Sequence, residues 1–195
     1  MPRPRKHDPD LILDAARELV LADGPRAASV GAIAEASAAP VGTLYHRFSS
    51  RDGLLAEMWF RALERFQASH LTEATQARDP VEAGVAMATS IVRFARTNPG
   101  DARLLLSLRR EDVFATDPAH QARLDAMNAP LRNAVRDLAR ELYGRAGKRE
   151  IGRVTLVVVD LPHGAVRRYA RESEMPAWLE SEVADISRAL LERRP

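Results

Sequence analysis

A short run of residues carries side chains suited to a polyanion: Val41, Gly42, Thr43, Tyr45, His46, Arg47 and, a little further on, Arg51. Gly42 has no side chain, so its backbone can approach a duplex closely. The Thr43 hydroxyl can donate to a phosphate, and its methyl can meet a thymine. The Tyr45 phenol can donate to a phosphate, a contact that fixes register but reads no sequence. His46 and Arg47 can reach flanking phosphates. Val41 and Thr43 are small, which leaves much of any base preference to duplex shape or bridging water. Arg51 falls where a helix begins, so its charge adds to the positive end of the helix dipole and attracts phosphate, a position that favours phosphate contact over an ordinary solvated charge. Ser29 is placed to cap a short helix, which alone explains it, although its hydroxyl or the neighbouring amides could also hold a phosphate.

The elements that must position these residues are helices. Apolar residues recur at helical spacing almost throughout, with no alternating strand pattern and no internal repeat. Asp8 and Pro9 predict a helix start, Leu11, Ile12, Ala15, Ala16, Leu19 and Val20 form its apolar stripe, and Gly24 ends it, giving a helix over about 9–23. Ser29 opens a second over 30–37, Pro40 a third through about 48, and a fourth follows over roughly 53–71. Leu44 and Phe48 lie four apart, so they share a face and plug a core while the polar side chains face out. Asp79-Pro80 starts a helix that stops at Asn98-Pro99-Gly100, and a shorter one covers about 101–110. Asp117-Pro118 starts a long one ending at Tyr143-Gly144. The next spans 148 to about 171, interrupted by Pro162, and Pro176 starts the last, ending near 191. About nine helices with short links predict an all-α fold: a three-helix head over residues 1–52 and a larger bundle over 53–195.

Paired short helices joined by a tight turn make a helix-turn-helix. The stretch Gly42-Thr43-Leu44-Tyr45-His46-Arg47-Phe48-Ser49-Ser50-Arg51-Asp52-Gly53-Leu54-Leu55 resembles the recognition helix and following helix start of the TetR family of bacterial transcriptional regulators. Ile33-Ala34-Glu35-Ala36 is similar to the family's second helix, and Ile12-Leu13-Asp14-Ala15-Ala16 with Gly24 to its first. The resemblance covers residues 8 to 60. Two positions depart from the family pattern: Ala38 replaces the usual turn glycine, and Pro40 replaces the Ser or Thr that opens the recognition helix. The resemblance implies a cytoplasmic repressor. It would bind a palindromic duplex operator as a homodimer built from the last two helices, and a small-molecule inducer would release it from a cavity in the body.

The body's own residues fit that implication in part. Val154, Leu156, Val157, Val158, Val159 and Leu161 make a helix apolar nearly all round, which needs cover on more than one side. Trp178, Leu179, Val183, Ile186, Leu190 and Leu191 give the last helix a matching stripe. A two-fold dimer also places two reading heads about one duplex turn, or a small multiple, apart. Met58, Trp59, Phe66, Met87, Phe94, Leu104, Leu108 and Met127 could wall an inducer cavity or simply pack as core. Pro162 frees a carbonyl in its helix, and His163 beside it is the polar candidate, equally readable as a hydrogen-bonded core histidine. The N-terminal arm with Arg3, Arg5, Lys6 and His7 could follow a minor groove or remain a solvated tail.

Composition narrows the alternatives. The 195 residues are 46% apolar and 29% charged with a net charge of +2, an ordinary globular balance that by itself names no partner. No cysteine is present, so disulfides and thiolate chemistry are excluded. No apolar run reaches the roughly 20 residues of a membrane span, and the basic N-terminus has no signal-peptide core. His7, His46, His70, His120 and His163 lack metal-ligand spacing, and neither a nucleophile elbow nor a phosphate loop occurs. No metal, cofactor or catalytic role is therefore expected. A helical small-molecule-binding protein or enzyme without a DNA role is the competing class; it gives no reason for Tyr45 and Thr43 to be exposed beside Arg51.

Overall fold

The structure, a computed structural model, describes residues 8–77, 79–108, 118–170, 172 and 174–193, with backbone alone for 71–76. The basic arm at Arg3, Arg5, Lys6 and His7 lies outside these residues, as do Arg110, Asp117 and Arg171.

Helix boundaries follow local capping chemistry. α1 (Pro9–Asp23) starts where the Asp8 carboxylate accepts the Asp10 N–H, and it ends at Gly24, whose φ of 83° puts it in the left-handed region. α2 (Val30–Ala36) is capped by the Ser29 hydroxyl, which accepts the Ala32 N–H at 3.2 Å. The turn after it places Ala38 at φ 51°, a left-handed conformation that glycine adopts without a Cβ penalty. The missing turn glycine is thus a real departure with a steric cost, met by hydrogen bonds from Ser37, Ala38 and Ala39 back into α2. α3 (Val41–Phe48) begins after Pro40, not at it: Pro40 is the N-cap, with φ −59° and no side-chain cap bond.

α4 (Arg51–Gln76) starts two residues earlier than its apolar pattern suggests, because the Ser50 hydroxyl accepts the Gly53 N–H at 3.0 Å. The expected head–body boundary therefore falls inside its first turn. Gly53 is held by a close approach, since a Cβ there would stand 2.3 Å from the Phe48 carbonyl oxygen.

In the body, α5 (Pro80–Thr97) starts with the Asp79 carboxylate accepting two amides. α6 (Pro99–Ser107), α7 (Pro118–Tyr143), α8 (Lys148–Thr155), α9 (Leu161–Tyr169) and α10 (Leu179–Leu191) follow. α5 is the hub, packed against α4, α6, α7, α9 and α10. The last helix starts at Leu179, later than Pro176, because Trp178 still sits in a turn.

The expected interruption at Pro162 takes a different form. α8 passes into α9 through a π-helical turn, Leu156–Asp160, where the Leu161 N–H reaches back five residues to the Leu156 carbonyl. Pro162 sits in the first turn of α9 and has no N–H to give to the preceding turn. A widened turn just before it absorbs that mismatch without a break in the helix. Counting this joined pair as one gives nine helices among the described residues, with no strand among them.

One apolar cluster runs without interruption from Ile12, Ile33 and Leu44 in the head through Leu54, Met58 and Phe60 on α4 to Ile91 and Leu104 in the body. A second joins Met87, Val135, Leu138, Val154, Val157, Val158 and Leu191. The head is thus packed onto the body through α4.

Candidate nucleic-acid interface

α3 is short, and its polarity is divided by position. Leu44 is buried at 2% exposure and Phe48 is half-buried, which fixes the helix to the head's core. Val41, Gly42, Tyr45, His46 and Arg47 are exposed and Thr43 partly so. Tyr45 stands 53% exposed although a phenol ring gains much by burial. A Cβ at Gly42 would meet nothing within 4 Å, so the surface there is open to close approach. The residues singled out on α3 therefore all lie on the part of the helix that Leu44 and Phe48 leave uncovered. No described helix is long and apolar enough to cross a membrane, and no described cluster of His, Asp or Glu could hold a metal.

Ser29 and Arg51 have structural work that their sequence positions only partly indicate. The Ser29 hydroxyl is engaged as a cap. The Arg51 guanidinium turns inward: Nε donates to the Ala28 carbonyl at 2.9 Å, a second nitrogen donates to the Pro25 carbonyl, and a third meets Asp52. Three acceptors thus already hold the Arg51 guanidinium. Its fork pins the α1–α2 loop to the start of α4, a contact spanning more than twenty residues that local sequence does not announce.

A second set of ion pairs ties the head to the body. Arg61 on α4 donates to Asp10 at 2.8 Å and Asp14 at 2.6 Å on α1. The Arg61 hydrogen bond holds the Asp10 carboxyl below the usual range. Asp101, 2% exposed on α6, accepts from Arg17 of α1 at 2.6 Å and from Arg65 of α4 at 3.1 Å. These residues escaped the sequence reading, since Arg and Asp are abundant and nothing local marks the pairs that meet.

The body contains a cavity of about 900 Å³ between α4, α5, α6, α7 and the joined α8–α9 helix. Of the candidate wall residues, Trp59, Phe66, Phe94, Leu108 and His163 line it. Met58, Met87, Leu104 and Met127 do not. Met58 and Leu104 are buried in the main core, Met127 packs against that core, and Met87 belongs to the second cluster. Helical spacing could not separate these groups, because a core-facing and a cavity-facing methionine have the same period. Leu105, Leu106, Gln67, Asn128, Arg132 and Arg167 complete much of the lining. The polar ones escaped notice because each looks like an ordinary solvated side chain in sequence.

Comparisons with known proteins agree with this geometry. Residues 12–58 match the model of the family described as bacterial regulatory proteins, tetR family. The HTH-type transcriptional repressor ComR of Escherichia coli (strain K12) is 33% identical over 84 residues, 43% of this chain, and the match spans 40% of that protein's length. PfmR from Thermus thermophilus, a TetR family transcriptional regulator, aligns with a TM-score of 0.70 at 20% identity, over 92% of this chain and 96% of its own. The regulator FadR from Bacillus subtilis, in complex with stearoyl-CoA, aligns with a TM-score of 0.69 at 14% identity, over 95% of this chain and 96% of its own. At such identities the solved structures speak for the fold alone. The fold they share encloses an N-terminal segment, residues 12–58, that matches the tetR family of bacterial regulatory proteins by sequence.

Proposed function

We propose that the protein is a cytoplasmic transcriptional repressor that binds a palindromic operator as a homodimer and leaves it when an apolar small molecule enters the body cavity. One observation carries the reading: α3 buries Leu44, half-buries Phe48 and leaves Val41, Gly42, Thr43, Tyr45, His46 and Arg47 exposed or partly exposed around the rest of the helix. That surface combines a close-approach glycine with phosphate donors. Ser29 and Arg51 flank it, and their backbone engagements favour a role in orienting α3 over a large direct share of the contact.

The dimer is supported by apolar side chains on the last helices. Leu156 and Leu161 on one side and Trp178 and Ile186 on the other are each more than 40% exposed, an unfavourable arrangement for a lone chain. Gly152 and Gly164 have open space around them, which lets a partner helix approach. Sedimentation of the DNA-free protein should give a dimer, and a monomer would contradict this part of the reading.

Ligand response would travel through α6. Ala102, Leu105, Leu106, Ser107 and Leu108 face the cavity, and Asp101 on the same helix holds Arg17 of the head. A ligand that fills the cavity better in one position of α6 favours the head placement that goes with it. The relative bound to stearoyl-CoA makes a long apolar ligand a reasonable class here, and apolar walls with Arg132 and Arg167 among the lining residues are compatible with it.

Selection of bound duplexes from a random pool tests the whole proposal. A two-fold symmetric consensus is the expected result. Recovery of no enriched sequence, together with salt-independent retention, would favour a ligand-binding protein without a DNA role.

A further inference from the structure

His70 on α4 is the most deeply buried ionisable group among the described residues of the body, at 1% exposure, and the ion-pair networks do not use it. Its Nδ1 lies 2.6 Å from the Ser90 hydroxyl oxygen. That hydroxyl also lies 2.7 Å from the Met87 carbonyl oxygen and donates to it. A hydroxyl has one proton. If it pointed at the histidine, two oxygens would face each other at 2.7 Å with no proton between them. Both contacts are satisfied only when Nδ1 carries a proton and donates to Ser90, which in turn donates to Met87. The tautomer is thereby fixed, and Nε2 presents a bare lone pair.

No described protein group bonds to that lone pair, although Nε2 is fully enclosed. A buried acceptor without a partner is costly, so its retention calls for an explanation. Its place in the fold supplies one. Trp59, Leu63 and Phe66 line the cavity from one face of α4, and His70 continues that stripe by one more turn. The Phe66 ring stacks on His70 at 5.2 Å and is itself part of the cavity wall. His163, another wall residue, packs against the same Phe66 ring, with centroids 6.0 Å apart. The Phe66 ring thus touches both the cavity and the imidazole.

We propose that the cavity's ligand site extends past Phe66 to His70, whose Nε2 accepts a hydrogen bond from a neutral donor on an otherwise apolar molecule, an alcohol or amide N–H. The inference rests on the cavity being a ligand site. Rotation of the Phe66 side chain is the motion it requires. Burial and the neighbouring His163 push the His70 imidazole down to about 4, so it is uncharged at neutral pH and offers a carboxylate no ion pair there. The site therefore selects for a neutral donor, and any anionic end of a ligand would have to lie elsewhere, toward Arg132 or Arg167.

The test uses 1-octanol and octyl methyl ether, matched apolar chains of which only the first can donate. The chain has two tryptophans, so the Trp178→Phe variant leaves Trp59, in the cavity wall, as the sole reporter of binding. The alcohol should bind about three- to tenfold more tightly than the ether. In wild-type protein labelled with ¹⁵N-histidine, the His70 Nε2 resonance should be that of an unprotonated nitrogen and should move on adding the alcohol but not the ether. His70→Leu should remove the preference and keep the ether's affinity. Equal binding of the two probes, or an Nε2 signal indifferent to the alcohol, overturns the His70 site and leaves the cavity reading intact. Failure of both probes to change Trp59 emission overturns the cavity reading and the His70 site with it. The wild-type resonance decides the matter even if His70→Leu does not fold.

Discussion

Asp101→Ala tests whether the head is held to the body by ion pairs. Asp101 is almost fully buried, with a side-chain exposure of 3%, and it accepts from Arg17 at 2.6 Å and Arg65 at 3.1 Å. Hydrogen bonds to charged groups contribute about 1.5–3 kcal/mol each when shielded from water. Arg17 is shielded, with 18% side-chain exposure, so its bond is taken near 2 kcal/mol; Arg65, at 41%, is discounted to about 1 kcal/mol for solvent screening. Arg17 keeps Asp14 at 3.4 Å and Glu18 at 3.1 Å as partners, so it is not stranded as an isolated buried charge. The expected loss is about 3 kcal/mol, or a fall in melting temperature of roughly 6–12 °C for a chain of this size. Thermal unfolding at fixed protein concentration, with Arg17→Ala and the double variant completing a cycle, measures it. The coupling between the two sites should be about 1–3 kcal/mol. A coupling near zero, or a single-variant loss below about 0.5 kcal/mol, would refute the claim that this contact holds α1 to α6.

Three further outcomes are expected. Tyr45→Phe should weaken binding to every duplex by roughly three- to tenfold without changing the preferred sequence, since a phosphate bond carries no base information; unchanged affinity in a mobility-shift titration removes Tyr45 from the interface. Gly53→Ala should destabilise the head by about 1–3 kcal/mol and lower duplex affinity, because the new Cβ meets the Phe48 backbone, which cannot move without shifting α3; chemical denaturation of the variant checks it, and a neutral result would mean the α3–α4 junction is looser than it stands here. Stability should also decline in mild acid. The imidazole of His70 is lowered from 6.5 to about 4 by burial and by His163, so the unfolded chain takes up its proton first as pH falls. The His70 contribution is whole above about pH 6.5 and is lost between there and pH 4, about 2 kcal/mol by pH 5. His163 is lowered by burial in the same sense. Urea unfolding across this range should flatten in His70→Leu, and an identical slope in both proteins would count against a neutral buried imidazole.

Helix positions and the exposed side of α3 were legible because their signals are local. Asp8, Ser29 and Asp79 cap within three residues of themselves, and Leu44 and Phe48 share a face by spacing alone. Gly24 ends α1 for a reason that a single residue supplies. Pro162 was legible as a disturbance but not as a π turn, because the way a helix absorbs a missing donor depends on what packs around it.

The amino-acid sequence thus determined an all-helical chain, the order of its helices and the outward composition of α3, all from periodicity and caps that act within a turn or two. Tertiary structure alone decided that Arg51 faces the Pro25 and Ala28 carbonyls, that Asp101 meets Arg17 across 84 positions, and that Trp59 and Phe66 wall a cavity while Met58 and Met87 pack in core. The physical reason is that a charged or apolar side chain carries no local mark of its partner. Which arginine finds which carboxylate, and which apolar faces leave space between them, is fixed only when the helices pack.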